Sequence, residues 1–142
     1  MDKRGALILE SVDHRLSDII HVASEICKIP MLITEGLRTL ERQKKLVAEG
    51  RSKTLNSKHL TGLAVDIIPI IDGKDVWSYL NGKPLDSRAK ESFRCIRNSI
   101  FEAAETLNLR VRWGNDWDGD GIEVGPDPDE SFEDWPHYEL RT

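Results

Sequence analysis

The sequence predicts an α+β fold, in which a small antiparallel sheet is packed by about three helices. The chain has 142 residues, of which 39% are hydrophobic and 32% are charged, and this is enough for one globular domain with its own core. Helical patterns come early in the chain and surround a few short strand patterns, whereas a parallel α/β fold would alternate the two regularly. Because the longest apolar runs are only a few residues, no segment has the length of a membrane-spanning helix.

Three segments have the apolar spacing and the end signals of helices. The first begins at Ser11, has an apolar stripe over residues 12–26, and is stopped by Pro30. The second ends at Gly50, since glycine favours the left-handed conformation that follows a helix. The third has an apolar face over residues 93–107. The predicted helices span residues 11–28, 39–49 and 87–107.

Four short runs predict strands, because they are rich in β-branched and aromatic residues. They span residues 31–34, 63–71, 110–113 and 137–140. In the longest run, successive side chains alternate between faces, so Ala64 and Asp66 share one face and Val65 and Ile67 share the other. Residues 51–58, which precede this run, are polar and predict a loop.

The acidic residues are unevenly distributed along the chain. The net charge is −5, yet residues 116–134 hold nine acidic residues and no lysine or arginine, which leaves the remainder with a formal charge of +4. An acidic cluster of this kind repels nucleic acid and attracts cations, so a nucleic-acid partner is disfavoured. A solvated loop has the same composition, and composition alone leaves that alternative open.

Two further features bear on the cellular compartment. Cys27 and Cys95 are too few for a disulfide framework, and we expect both to be reduced residues of the core. The first ten residues contain no apolar segment of signal-peptide length, so we expect synthesis in the cytoplasm without a secretory signal.

Two of the four histidines stand where metal ligands are expected. His14 and His21 lie on the first predicted helix with no second type of ligand at metal spacing, and we expect them on the surface. His59 ends a loop seven residues before Asp66, and His137 stands in the last predicted strand. A catalytic zinc takes three protein ligands, and two histidines with one aspartate would supply them. By spacing alone, a histidine beside a turn is more often a hydrogen-bonded residue than a metal ligand.

A longer motif gives this set more weight. The pattern Ser-x-His-x-x-Gly-x-Ala-x-Asp at residues 57–66, followed by Asp-x-x-His at 134–137, resembles zinc peptidases that cut peptidoglycan peptides containing D-amino acids. This group includes D-Ala-D-Ala carboxypeptidases and dipeptidases of the VanX and VanY type, and the closer likeness is to bacteriophage L-alanyl-D-glutamate endopeptidases. Residues 35–39 and 112–114 agree in order as well, so the resemblance covers roughly residues 30 to 140. It implies a Hedgehog/DD-peptidase-like fold, with residues 1–142 as a single zinc peptidase catalytic domain.

The resemblance also implies which residues carry the metal and the proton. The zinc ligands that it implies are His59, Asp66 and His137. Asp134 is the implied general base, at a position where many relatives have glutamate, and the neighbouring Glu133 is the alternative.

The resemblance implies roles for several other residues, and for each of them an alternative role is open. Arg38 corresponds to an arginine that faces the substrate carbonyl, where a fixed guanidinium stabilises developing negative charge; the alternative is an arginine that pairs with the acidic segment. Ser57 matches the motif serine and either binds substrate or caps the loop. Glu139 either orients a metal ligand or is a solvated strand residue. Arg42 and Gln43 are expected on the surface of the second helix.

Residues 116–127 have the ligand order of an EF-hand calcium loop. The ligands that this order predicts are Asp116, Asp118, Asp120, the carbonyl of Ile122 and Asp127. The last position is aspartate rather than glutamate, and no helical pattern flanks the loop on both sides, so an isolated calcium loop is expected rather than an EF-hand pair. The alternative is a merely acidic, solvated loop. Some phage endolysins of the resembling family are calcium-dependent, and here calcium would hold Asp134 and His137 in place.

We therefore expect a zinc-dependent peptidoglycan endopeptidase, a phage endolysin that hydrolyses L-alanyl-D-glutamate bonds and is regulated by calcium. A D-Ala-D-Ala carboxypeptidase or dipeptidase uses the same chemistry and is the first alternative. A non-catalytic metal-binding module and a calcium sensor are alternatives from other classes. We expect a monomer whose partner is bacterial peptidoglycan, with no membrane insertion, and exit from the host cytoplasm through a separate holin-type pore.

Overall fold

The computed structural model describes residues 1–52, 55, 57–116 and 134–142. Within these residues the chain forms five α-helices, one 3₁₀ turn and five strands. The helices are α1 (Lys3–Glu10), α2 (His14–Ile26), α3 (Leu40–Ala48), α4 (Val76–Leu80) and α5 (Ser87–Thr106), and the 3₁₀ turn is η1 (Lys58–Thr61). The strands are β1 (Met31–Glu35), β2 (Ala64–Ile71), β3 (Lys74–Asp75), β4 (Val111–Trp113) and β5 (His137–Leu140).

The strands form one antiparallel sheet with the order β1-β2-β5-β4, and β3 pairs with the far end of β2. The register between β2 and β5 sets Asp66 opposite His137. The register between β1 and β2 sets Glu35 opposite Asp66, after an irregularity between Ile33 and Glu35. Two strand pairings therefore bring three polar residues from distant parts of the chain to the same place.

The core lies between the sheet and the long helices α2 and α5. Its fully buried members include Leu16 and Ile19 of α2, Phe93 of α5, and Val65 and Ile67 of β2. Burial of these apolar side chains provides the main driving force for folding. Because side chains alternate along β2, the same strand gives its other face to Asp66.

The expected fold class is confirmed, with five helices in the described residues where three were predicted. The predicted helix over 11–28 was wrong at its start: Ser11 ends α1, and the carboxylate of Asp13 caps α2 by accepting the Arg15 backbone N–H at 2.9 Å. The apolar stripe was also too long at its end, because Ile26 is 42% exposed.

Several smaller predictions can be compared with the structure. His14 and His21 are exposed, as expected, whereas Leu107, predicted on the apolar face of α5, is 37% exposed at the end of that helix. Cys27 and Cys95 are free thiols, as expected; both are half-buried, and Cys27 packs against the core. Among the described residues, no helix is both long enough and apolar enough to cross a bilayer.

Candidate metal centre

Three elements deliver three potential metal ligands to one point. His59 lies in η1, whose first turn is capped by Ser57 and whose end is allowed by Gly62 in the left-handed conformation, with φ at 73°. Asp66 lies in β2, and His137 begins β5 directly opposite it. One nitrogen or oxygen atom from each of the three side chains lies within 4.8 Å of the other two.

The distances within this cluster are short and its members are shielded from solvent. The Oδ1 atom of Asp66 is 3.0 Å from Nε2 of His59 and 3.5 Å from Nδ1 of His137. The two imidazole rings meet edge to face, with centroids 5.1 Å apart. Both histidines are buried, and Asp66 is partly buried between them.

The outer nitrogens of both imidazoles have hydrogen-bond acceptors of their own. Nδ1–H of His59 donates to the Gly36 carbonyl at 2.8 Å, and Nε2–H of His137 donates to Oε1 of Glu139 at 2.9 Å. With the outer nitrogens bonded in this way, Nε2 of His59 and Nδ1 of His137 are directed toward Asp66. Histidines that ligate a metal nearly always have such a partner on the other nitrogen, and the donor set therefore fits a divalent metal such as zinc.

The charges of the cluster depend strongly on one another in the metal-free protein. Burial opposes ionisation of Asp66, but hydrogen bonds from His137 and His59 outweigh it and hold the pKa of its carboxyl well below the usual range. Burial likewise disfavours the imidazolium of His137, but its bonds to Asp66 and Glu139 raise its pKa to about 9. At neutral pH, protonated His137 therefore helps to balance the negative charge of Asp66.

Asp134 lines the cleft beside these residues. Burial, together with the nearby charge of Asp66, raises the pKa of Asp134 to about 6. A carboxyl group that titrates near neutral pH can both accept and return a proton during catalysis. The backbone holds it firmly: its N–H donates to the Gly114 carbonyl at 2.8 Å, and its carbonyl accepts the His137 N–H at 3.1 Å.

Arg38 belongs to a buried polar network behind Asp66. Its guanidinium donates two hydrogen bonds of 2.8 Å to the carboxylate of Glu35 and one of 2.6 Å to the side-chain oxygen of Gln43. Its Nη2 atom also lies 3.7 Å from Oδ2 of Asp66. Among the described residues, the carboxylate that pairs most closely with this arginine is thus Glu35 rather than one in the acidic segment.

The expected surface position of Gln43 was wrong. Gln43 is fully buried, and its amide also donates to Ser52 Oγ at 2.9 Å. Arg42 is exposed, as expected, and its Nε donates to Glu35 at 3.2 Å. Glu139 is buried against His137 and is not a solvated strand residue.

A cleft of about 640 Å³ opens over the cluster. Ser57 lines it and also accepts the His59 backbone N–H at 3.1 Å, so the two roles considered for this serine are compatible. Residues that the sequence did not single out also shape the cleft or its ligands, namely Gly36, Trp77 and Gly114. The motif at 35–39 gave a signal for Gly36, whereas the role of its carbonyl depends on a contact 23 residues away.

Most of the expected calcium ligands cannot be compared with the structure. Asp118, Asp120, Ile122 and Asp127 lie outside the described residues, as does Glu133. Asp116 is described and buried, and its backbone N–H donates to the Trp113 carbonyl at 3.1 Å.

Comparison with known proteins points to one family. A sequence model of the phage L-alanyl-D-glutamate peptidase family matches residues 1–141. The L-alanyl-D-glutamate peptidase of Escherichia phage T5 is 29% identical over 116 residues, which cover 80% of this chain and 77% of that protein. The peptidoglycan L-alanyl-D-glutamate endopeptidase CwlK of Bacillus subtilis strain 168 is 27% identical over 134 residues, which cover 87% of this chain and 68% of that protein. Among solved structures, the Serratia marcescens L-Ala D-Glu endopeptidase ChiX is similar with a TM-score of 0.75 and 28% identity, covering 99% of this chain and 89% of that one.

Proposed function

The chain belongs to the phage L-alanyl-D-glutamate peptidase family, and from this membership we propose that it is a zinc-dependent endopeptidase of peptidoglycan. Its substrate would be the L-alanyl-D-glutamate bond of the cell-wall stem peptide, and its biological role that of a phage endolysin. The observation that carries the proposal is the buried cluster of His59, Asp66 and His137 at the base of a cleft, in a member of this family.

The metal would be held by His59 Nε2, His137 Nδ1 and a carboxylate oxygen of Asp66. When bound, zinc would supply Lewis acidity toward water and toward the peptide carbonyl. The Gly36 carbonyl and Glu139 support this assignment, because they fix both rings before any metal arrives.

Asp134 is the proposed proton carrier. It would accept a proton from the attacking water and later return that proton to the leaving amine of D-glutamate. Its pKa of about 6 supports this role, since the carboxylate predominates at neutral pH while protonation stays accessible.

Arg38 is proposed to stabilise the negative charge that develops on the substrate carbonyl oxygen. Its hydrogen bonds to Glu35 and Gln43 would hold the guanidinium in one orientation, so that little rearrangement is needed during the reaction. Ser57, which lines the same cleft, is proposed to contribute a hydrogen bond to the substrate.

Calcium is proposed to regulate the enzyme through residues 116–127. The spacing of the acidic residues supports this proposal. Replacing Asp118 and Asp120 with asparagine should lower activity and remove its response to calcium. Activity that is unchanged by a calcium chelator, with zinc retained, would exclude this regulation.

We further propose that residues 1–142 act as one catalytic domain, and that the enzyme reaches the wall through a separate holin-type pore. The deciding experiment is digestion of purified peptidoglycan by the zinc-loaded protein, with mass spectrometry of the products. His59→Ala serves as the inactive control. New L-alanine C-termini and D-glutamate N-termini would support the proposal, release of D-alanine would indicate a carboxypeptidase, and no product from zinc-bound protein would indicate a non-catalytic module.

A further inference from the structure

The cleft over the candidate metal centre differs chemically between its two ends. β2 begins next to η1, passes Asp66, and ends at the turn that leads into β3 and α4. Lys58 of η1 therefore lies near the start of this strand, and Trp77 of α4 lies beyond its end. We call these the cationic end (Lys58) and the aromatic end (Trp77 with Ile68 and Pro136) of the cleft.

Trp77 has the properties of a binding platform. Its side chain is 49% exposed although it is one of the largest apolar groups of the chain, and it lines the cleft. Phe93 supports it from behind, with ring centroids 6.1 Å apart. Asp75 fixes the start of α4 by accepting the backbone N–H groups of Trp77 at 3.1 Å and Ser78 at 3.2 Å. A rigid, half-exposed indole offers a flat apolar face that loses little conformational entropy on binding.

Lys58 has the properties of an anion-binding residue. It is exposed, it lines the cleft, and it directly precedes His59. Arg42 also lines the cleft, but its guanidinium is paired with Glu35 at 3.2 Å, so Lys58 is the cation assigned to this end.

The substrate has the same asymmetry about the bond to be cut. On one side, L-alanine is joined through a lactyl group to the ring of a muramyl sugar. On the other side, D-glutamate carries a free α-carboxylate next to the scissile nitrogen. Resting on the proposed function, we propose that Trp77 stacks against the muramyl sugar and that Lys58 binds the α-carboxylate of D-glutamate, which together fix the direction of the substrate in the cleft.

Three synthetic substrates test the two contacts separately. The reference is N-acetyl-L-alanyl-γ-D-glutamyl-L-lysine; the second carries a muramyl sugar in place of the acetyl group, and the third carries an α-amide in place of the α-carboxylate. For the unaltered enzyme, we expect kcat/KM to be about tenfold higher with the sugar than without it. We expect kcat/KM to be about fivefold higher with the carboxylate than with the amide.

Each variant should remove one preference. Trp77→Ala should bring the ratio of kcat/KM with the sugar to kcat/KM without it close to one, while the carboxylate preference remains. If the alanine variant does not fold because of the lost volume, Trp77→Leu should give the same result. Lys58→Met should remove the carboxylate preference and leave the sugar preference. Leu107→Ala and Lys44→Met are matched controls outside the cleft, since both positions are exposed, and they should leave both ratios unchanged.

The outcomes separate this inference from the proposed function. If the zinc-loaded enzyme cuts none of the three substrates, the proposed function is wrong. If it cuts them with equal efficiency, or if a cleft variant keeps the ratio it should lose, the assignment of the two ends is overturned. Loss of the carboxylate preference in Trp77→Ala, or of the sugar preference in Lys58→Met, would show that the two contacts are not separate and would also overturn the assignment.

Discussion

Gly114 provides a test of how tightly the backbone holds the proposed proton carrier Asp134 and the proposed ligand His137. A β-carbon added at this position would overlap the carbonyl oxygen of Asp134, and it would lie 2.8 Å from Cβ of Asp134 and 2.9 Å from Cβ of His137. Ordinary van der Waals contact begins at 3.4 Å, so Gly114→Ala requires the Asp134 backbone to move by about 1 Å. The Gly114 N–H donates to His137 and its carbonyl accepts from Asp134, both at 2.8 Å, so that movement must break at least one of these bonds.

The expected consequence is a large loss of activity in a protein that still folds. A displacement of about 1 Å at a catalytic centre costs about 100-fold in rate, and we expect kcat/KM of Gly114→Ala to fall by at least that factor. Release of new D-glutamate N-termini from peptidoglycan measures the rate, circular dichroism monitors the fold, and metal analysis measures bound zinc.

Gly73→Ala is the matched control. Gly73 has a left-handed backbone, with φ at 75°, and nothing lies within 4 Å of an added β-carbon. This variant should lose about 1 kcal/mol of stability from backbone strain and keep full activity. If folded Gly114→Ala retains activity within about threefold of the unaltered enzyme, the proposed positioning of Asp134 and His137 is wrong.

Three further predictions concern the hydrogen bonds around the ligands. Glu139→Gln weakens the acceptor for His137 Nε2–H and should lower zinc affinity about tenfold. Competition with a chromophoric chelator measures this affinity. The control Glu91→Gln, on the exposed face of α5, should leave it unchanged. Because the pKa of His137 is raised to about 9 in the metal-free protein, zinc must displace a proton at neutral pH, so zinc affinity should rise as the pH increases toward 9. Calorimetry in buffers of different ionisation enthalpy measures that proton, and zinc binding at pH 7 without proton release would contradict the assignment. Gln43→Leu removes the acceptor of Arg38 Nη1 and should lower the free energy of unfolding by about 2 kcal/mol in urea titrations; a change below about 0.5 kcal/mol would show that this bond is unimportant.

The sequence predicts elements well where local physics determines them. β1, β2, β4 and β5 were predicted because their side chains suit a pleated, partly buried surface. α1 was missed because its cap, Asp2, which accepts the Gly5 N–H at 2.7 Å, stands at the very start of the chain, and because Gly5 within the helix disfavours helix formation. α4 was missed because five residues after a two-residue strand carry too little periodicity to be recognised.

The residues of the site fall into the same two groups: sequence motifs indicated some of them, and others could be recognised only from tertiary contacts. His59, Asp66, Asp134 and His137 were indicated by the motifs at 57–66 and 134–137 through their resemblance to zinc peptidases, because spacing alone left hydrogen-bonded histidines as the alternative. No spacing rule relates Gly36 to His59, because the contact between them depends on how β1 and η1 pack against each other.

Gln43 shows why polar pattern alone could not identify the rest of the site. On α3, a glutamine among charged neighbours reads as solvated, because helical periodicity separates apolar from polar residues but does not separate exposed from buried polar ones. Whether a polar side chain can be buried depends on a partner that satisfies its hydrogen bonds, and here the partners are Arg38 and Ser52, on segments outside the helix. Arg38 in turn can be buried only because Glu35 balances its charge from the end of β1. The hydrogen-bond network therefore depends on three segments at once. The sequence of each segment taken alone predicts solvent-exposed polar side chains.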